Sequence, residues 1–329
     1  MKSFKERFKE ILLANIPAIM AITNGGSDYN GDVIADIYKK WGTGNEVIEK
    51  GAARLEMNVR TQKALPRMRT TDSPIGAYAQ TPAAETATTS YDERILEVQK
   101  GMLYETFDPD EWQDIWDEFA SQGAIYTNIA MNPAIMSAIF SLYQNSVGRQ
   151  ISSDFWQGST VGGDLIDGIT TLALADATVV DIPNVGVITQ ANAIAIVSAC
   201  WSAVPDHFFE NPNYVLNMNT TDYKLLQLAN QAAAAGTDGH LNNVIKDLFL
   251  GQRIRHFAGM PKNSIIGCVG SNSVDSNLVL GFYAMPDSEL GAPRVDRVAN
   301  NSEEMFVRVN FKYGAQYREG SDIILYTGV

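Results

Sequence analysis

A chain of 329 residues, 45% hydrophobic and 19% charged, has the apolar material for a substantial core and does not have the composition of a disordered segment. Its formal net charge of -13 and pI near 4.7 exclude a protein that coats nucleic acid, because neutralising phosphates takes clustered Lys and Arg. Cys200 and Cys268 sit in apolar stretches as small hydrophobes rather than in a disulfide framework, and His207, His240 and His256 lack metal-site spacing, so zinc and Cys/His catalysis have no material.

The first two dozen residues set basic residues before an apolar run, as a secretory signal does. Glu6 and Glu10 interrupt the basic part, and Asn15 and Pro17 the apolar part. Phe4, Phe8, Ile11, Leu12 and Asn15 follow helical spacing instead, which predicts an amphipathic arm that docks on another surface. No run of eighteen apolar residues follows, so no membrane span is predicted. Asp28, Asn30 and Asp32 alternate like calcium-loop ligands. Val33 and Lys39 occupy the positions that need Gly and Glu, so the segment reads as a polar turn capping the IADIYKKW helix.

From about Lys50 to Phe107 helical periodicity fades and Thr, Ala, Pro and Arg predominate, which predicts a long extended projection. Tyr91, Ile95, Leu96, Val98, Met102, Leu103 and Tyr104 give its return arm apolar surface to bury; the competing reading is a disordered linker. Next, Asp108, Pro109 and Glu111 form a helix-start signal, with Trp112, Ile115, Trp116 and Phe119 on one face. The carboxylates on the other faces read as a solvated or partner-facing surface rather than a metal or acid–base site, which needs apolar, pKa-shifting surroundings. Asn132 and Pro133 open the longest predicted helix, with Ile135, Ile139, Phe140, Tyr143 and Val147 on one side.

Turn-rich WQGSTVGGDLIDGITTLAL leads to a helix over TQANAIAIVSACWSAV that must end before Pro205. NPNYVLNMN reads as a buried strand and TTDYKLLQLANQAAAA as a capped helix, followed by the turn-rich GTDGHLNN. Strands are predicted in LFLGQRIRHF, SIIGCV and NLVLGFYAM. From Met305 to Arg318 apolar and polar residues alternate, which predicts a long strand with one buried face, and Ile323 to Tyr326 make a short last strand. Helices and strands in this order predict an α/β or α+β layered fold; the family resemblance below implies the α+β class. Neither a phosphate-binding G-x-x-x-x-G-K-[ST] nor a G-x-S-x-G nucleophile elbow is present.

The segments FWQGSTVGGDLIDGI, ANAIAIVSACWSAVPDHFFENPNYVLNMNTTDYKLLQLA and GMPKNSIIGCVGSNSVDSNLVLG, in this order after a long helix, resemble the major capsid proteins of tailed bacteriophages. That family has the Hong Kong ninety-seven-like fold, shared with herpesvirus shells and encapsulins. The resemblance implies an N-terminal arm (1–48), an extended E-loop hairpin (49–107), a P-domain with a spine helix (108–188), an A-domain (189–298) and returning P-domain strands (299–329). It further implies a non-enzymatic virion subunit, present in the host cytoplasm during assembly, that needs no cofactor, metal or membrane. Such subunits form hexamers and pentamers of an icosahedral shell around double-stranded DNA, which they enclose without sequence-specific binding. Portal and decoration proteins are implied partners. An arm beginning close to Met1 implies a separate scaffolding protein, or none. An encapsulin-like compartment is the alternative, and an α/β enzyme a more distant one.

Two surfaces are expected to carry assembly. Between Lys50 and Thr70 six basic residues face Glu56 alone, whereas between Tyr91 and Ala120 ten acids face only Arg94 and Lys100. The hairpin's basic arm, with Arg60, Lys63, Arg67 and Arg69, can therefore lie over Asp110, Glu111, Asp114 and Asp117 of a neighbour; alternatively it pairs with its own return arm. Thr237, Asp238 and His240 are candidates for a loop at the capsomer axis, an ordinary surface loop being the other reading. Lys63 lies where some relatives form a cross-link to a neighbour's asparagine, but neither catalyst nor partner is identifiable, and no bond is predicted.

Overall fold

The computed structural model describes residues 45–70, 75, 88–107, 126–127, 130–131, 133–209, 211–235, 248–249, 252–284, 294–298 and 304–328. The expected N-terminal arm up to residue 44, the helix expected from Asp108 and the loop carrying Thr237, Asp238 and His240 lie outside the described residues.

One helical turn, α1 (Glu46–Glu49), precedes strand β1 (Arg54–Met57). Strands β2 (Gln62–Thr70) and β3 (Thr89–Glu97) pair antiparallel over nine positions, and Val98 alone separates β3 from β4 (Gln99–Phe107). After a small ladder of β5 (Tyr126–Thr127) and β6 (Ala130–Met131), Pro133 opens the 25-residue helix α2 (Pro133–Gln157). Proline suits a first turn because its missing N–H has no partner to lose there. The helix continues past Val147 because Ile151, Phe155 and Trp156 keep an apolar face, all three buried. Gly158 ends it where a Cβ would stand 2.5 Å from the Ile166 carbonyl oxygen.

Helix α3 (Ile169–Ala175), strand β7 (Val180–Asp181) and helix α4 (Ala193–Ser202) follow, α4 stopping three residues before Pro205. Strand β8 (Tyr214–Asn219) is buried at all six positions and runs directly into α5 (Thr220–Ala235), where the Asn219 side chain accepts the Thr221 N–H at 2.7 Å. The remainder is β9 (Leu248–Phe249), β10 (Gln252–Phe257), β11 (Ser264–Val269), β12 (Leu278–Ala284), β13 (Arg294–Arg297), β14 (Met305–Tyr317) and β15 (Ile324–Thr327).

Two sheets organise these strands. In the five-stranded one, β14 carries β4 along one edge and β12 and β13 along the other, with β1 parallel to β12 on the outside. The six-stranded sheet has the order β7-β15-β11-β8-β10-β9 and mixes parallel and antiparallel neighbours. Strands β12 and β13 belong to the first sheet and β15 to the second, so the expected boundary at 298/299 falls within the five-stranded sheet.

One apolar cluster joins Phe155, Trp156, Ile169 and Ala173 of α2 and α3 to Leu280, Phe282, Phe311 and Tyr313 of the five-stranded sheet. A second joins Ile196, Val197 and Leu226 of α4 and α5 to Leu216, Ile265, Ile324 and Tyr326. Ile266, Cys268 and Leu325 of the six-stranded sheet face the first cluster, while their chain neighbours face the second. That sheet is thus covered on both sides, which is why SIIGCV and IILY are unbroken apolar runs without alternation.

Candidate assembly surface

The β2–β3 hairpin leaves the body at a point prepared by two glycines. Gly281 and Gly314 are directly opposed on β12 and β14, and the base of the hairpin crosses over them. A Cβ on Gly314 would lie 1.9 Å from the Glu97 carbonyl oxygen, and one on Gly281 would lie 2.9 Å from Leu96. Val59, Leu65, Leu96, Val98 and Val279 form a separate apolar cluster at this crossing, and the Val98 N–H donates to Thr61 O at 3.0 Å.

Strand alternation divides the hairpin into two faces. The inner face carries Lys63, Leu65, Arg67 and Arg69 opposite Leu96, Arg94, Asp92 and Ser90. Arg67 holds Asp92 through two hydrogen bonds and donates to the Arg318 carbonyl at 3.0 Å. Arg69 forms a two-pronged pair with Glu319 at 2.8 and 3.1 Å. Arg94 stacks 4.3 Å from the Tyr317 ring centre and donates to Asp176. Asp176 also accepts from the Tyr317 hydroxyl at 2.7 Å and from the Thr178 N–H and hydroxyl at 2.9 and 2.7 Å. Burial works against the Asp176 carboxylate, but the hydrogen bonds from Thr178 and Arg94 outweigh it and hold its pKa well below the ordinary value. Burial and the bond to Asp176 push the Tyr317 phenol up to about 12. The hairpin is therefore latched to the turn after β14 and to the end of α3.

The outer face is different in kind. Gln62, Ala64, Pro66, Met68 and Thr70 share it with Thr89, Tyr91, Glu93, Ile95 and Glu97, and all are exposed. Met68 and Tyr91 are directly opposed and 71% and 66% exposed, with Ile95 close by at 45%. A lone two-stranded ribbon is marginally stable in water. Here the inner face secures the ribbon while the outer face holds apolar side chains in solvent.

Solved structures share this architecture over most of the chain. The capsid of an empty GTA particle computed with C5 symmetry matches at 13% identity with a TM-score of 0.58, covering 96% of this chain and 98% of that one. The capsid of Myoviridae phage XM1 matches at 12% and 0.55, covering 93% and 100%. A chain of Microbacterium phage Oxtober96 matches at 12% and 0.53, covering 94% and 97%. No protein-family model matches the sequence, and no curated protein does. The chain has the capsid fold.

This is the Hong Kong ninety-seven-like fold expected from the sequence. On it, Arg60 lies 5.9 Å from the Tyr283 ring centre, and Lys63 contacts Glu56 at 2.5 Å. Arg67 and Arg69 are engaged within their own chain, whereas Asp110, Glu111, Asp114 and Asp117 lie outside the described residues. The capsid fold thus brings Lys63, Arg67 and Arg69 onto one strand of the hairpin and gives all three carboxylate partners inside the same subunit, while Arg60 precedes that strand. Sequence reading missed Arg94, Asp176 and Glu319 as latch residues and the Gly281–Gly314 crossing. The available signal was the spacing of Lys63, Arg67 and Arg69 on the same side as Leu65, which marks them as inward-facing.

Proposed function

We infer that this protein is the structural subunit of an icosahedral virion shell, assembling as hexamers and pentamers around double-stranded phage DNA and carrying no catalytic activity. The observation that carries this reading is the two-way coverage: the chain matches capsid proteins over nearly its whole length and nearly theirs. A projecting hairpin with an exposed apolar face suits a subunit completed by its neighbours. A net charge of -13 suits a wall that encloses DNA without gripping it. The residues at 108–118 and the loop at Thr237, Asp238 and His240 remain proposed contacts with neighbouring subunits, and portal, scaffolding and decoration proteins proposed partners.

The test is size-exclusion chromatography and electron microscopy of the purified full-length protein. Capsomers or closed shells are expected. A compact monomer at every protein and salt concentration would overturn the assignment.

A further inference from the structure

The corner between α2 and α3 closes on a single residue. The Asp154 carbonyl accepts the Gly158 N–H at 3.0 Å, and the Gly158 carbonyl accepts the Gly168 N–H at 2.8 Å and the Thr171 hydroxyl at 2.7 Å. A Cβ on either Gly158 or Gly168 would lie 2.6 Å from the Asp154 carbonyl oxygen, so both ends of the intervening loop press against it. That loop is braced by Asp164 on the Ser159 N–H at 2.9 Å and by Asp167 on the Thr160 N–H at 2.7 Å. It holds Val161 in solvent, 99% exposed.

The side chain of the same residue ties the corner to the five-stranded sheet. Asp154 is 5% exposed; its Oδ2 accepts the Tyr313 hydroxyl of β14 at 2.5 Å and its Oδ1 accepts the Gln150 amide at 2.6 Å. Among the described residues no cation pairs with it. The titratable groups that face it are Tyr313 from β14 and Asp164 from the loop, and Asp164 carries the same sign. A buried carboxylate without a counter-charge, next to a second carboxylate, is unfavourable even with two hydrogen bonds. The neutral acid loses nothing at this site, because a phenol hydroxyl can donate to a carboxylate or accept from a carboxylic acid.

We propose that Asp154 is an acid-tightened clasp: its neutral carboxyl holds α2, β14 and the 158–168 loop closed together, and its ionisation loosens the corner and the Val161 loop. Every group belongs to one subunit, so the clasp does not rest on the shell assignment. It acts with the opposite sign to the hairpin latch, whose Asp176 is held in its ionised form. Asp222 and Asp322 are also raised by burial, but they lie in other elements, so the readout must be local to the corner.

Hydrogen exchange of the full-length protein, corrected for the intrinsic pH dependence of the rate, supplies that readout. Between about pH 8 and about pH 4, exchange in residues 155–171 should slow about tenfold for each unit by which the Asp154 pKa exceeds its ordinary value. Asp154→Asn, which keeps an acceptor without the charge, should be protected to the acid level at every pH. Asp164→Asn removes the repelling charge and should move the midpoint to lower pH, whereas Tyr313→Phe removes a donor to the carboxylate and should move it to higher pH. A side chain that merely packs would not give opposite shifts. Circular dichroism verifies folding of each variant, and infrared difference spectra of the wild type should show a protonated-carboxyl band appearing at the same midpoint. An Asp154→Asn profile that follows the wild type, shifts of the two other variants in the same direction, or exchange in the corner that is independent of pH would overturn the clasp and leave the shell reading intact.

Discussion

The inner and outer faces of the five-stranded sheet are closed in different ways. On the inner face Leu280, Phe282, Phe311 and Tyr313 meet the aromatic and aliphatic side chains of α2 and α3, and burial of apolar area holds the two together. On the outer face a thin hairpin crosses two glycines and is secured by guanidinium groups on carboxylates and carbonyls, several of them partly exposed. The first arrangement is indifferent to salt and tolerates no buried charge without hydrogen-bond partners such as those of Asp154. The second is local and, where its ion pairs are partly exposed, screenable by salt.

The sharpest way to break this contrast is a charge on the inner face. Leu280→Asp, at a side chain 1% exposed, should cost about 3–5 kcal/mol and yield largely unfolded protein. Val309→Asp should cost clearly less, because Val309 is only partly buried at the margin of the same cluster. Equal losses in thermal melts of the two variants would show that the inner face does not govern stability in this way.

At the crossing the expected effect is smaller. Gly314→Ala drives a Cβ into the Glu97 carbonyl, a backbone atom, and should cost about 1–3 kcal/mol while exposing the hairpin to protease. Gly281→Ala meets only Leu96 and Val98 side chains and should be milder. The reverse order of protease sensitivity would place the crossing elsewhere.

Acid separates the two sides by sign. The folded pKa of Asp176 lies below its ordinary value near 3.8, so its stabilisation is present above about pH 4 and is lost as pH falls further. Asp154, on the inner side of α2, has its pKa raised by burial against the bonds from Tyr313 and Gln150, so the stability linked to it is greatest below about pH 4 and is lost as pH rises. At pH 7 Asp176→Asn should therefore lower the melting temperature and Asp154→Asn raise it, both differences shrinking towards pH 3. A destabilising Asp154→Asn at pH 7 would contradict this account. The smallest effect is reserved for Arg69→Ala, whose pair with Glu319 is half exposed: about 0–1 kcal/mol, vanishing in 1 M salt.

Much of the fold was legible in local chemistry. Pro133 and Pro205 mark the start of α2 and the stop after α4, Asn219 and Thr220 mark the start of α5, and alternation from Met305 to Tyr317 marks β14. The alternation is imperfect where tertiary packing intervenes. Asn310 is buried on the nominally wet face and donates nothing to that periodic signal, while Val309 beside it is half-buried.

Sequence by itself determined the periodicities, the caps and stops, the unbroken apolar runs of the doubly covered sheet, and the division of the hairpin into two faces, because each depends on residues within a few positions of one another. Only the tertiary structure decided where the charges went. A tally of six basic residues on one arm and ten acids further on contains no register, and it pointed to a neighbour's acidic helix. The partners of Arg67, Arg69 and Arg94 include Arg318, Glu319 and Asp176, the first two about 250 residues away in the chain. No local pattern encodes that proximity. It arises because Gly281 and Gly314 let the hairpin cross the sheet and so direct it along β14 to the turn where those groups wait.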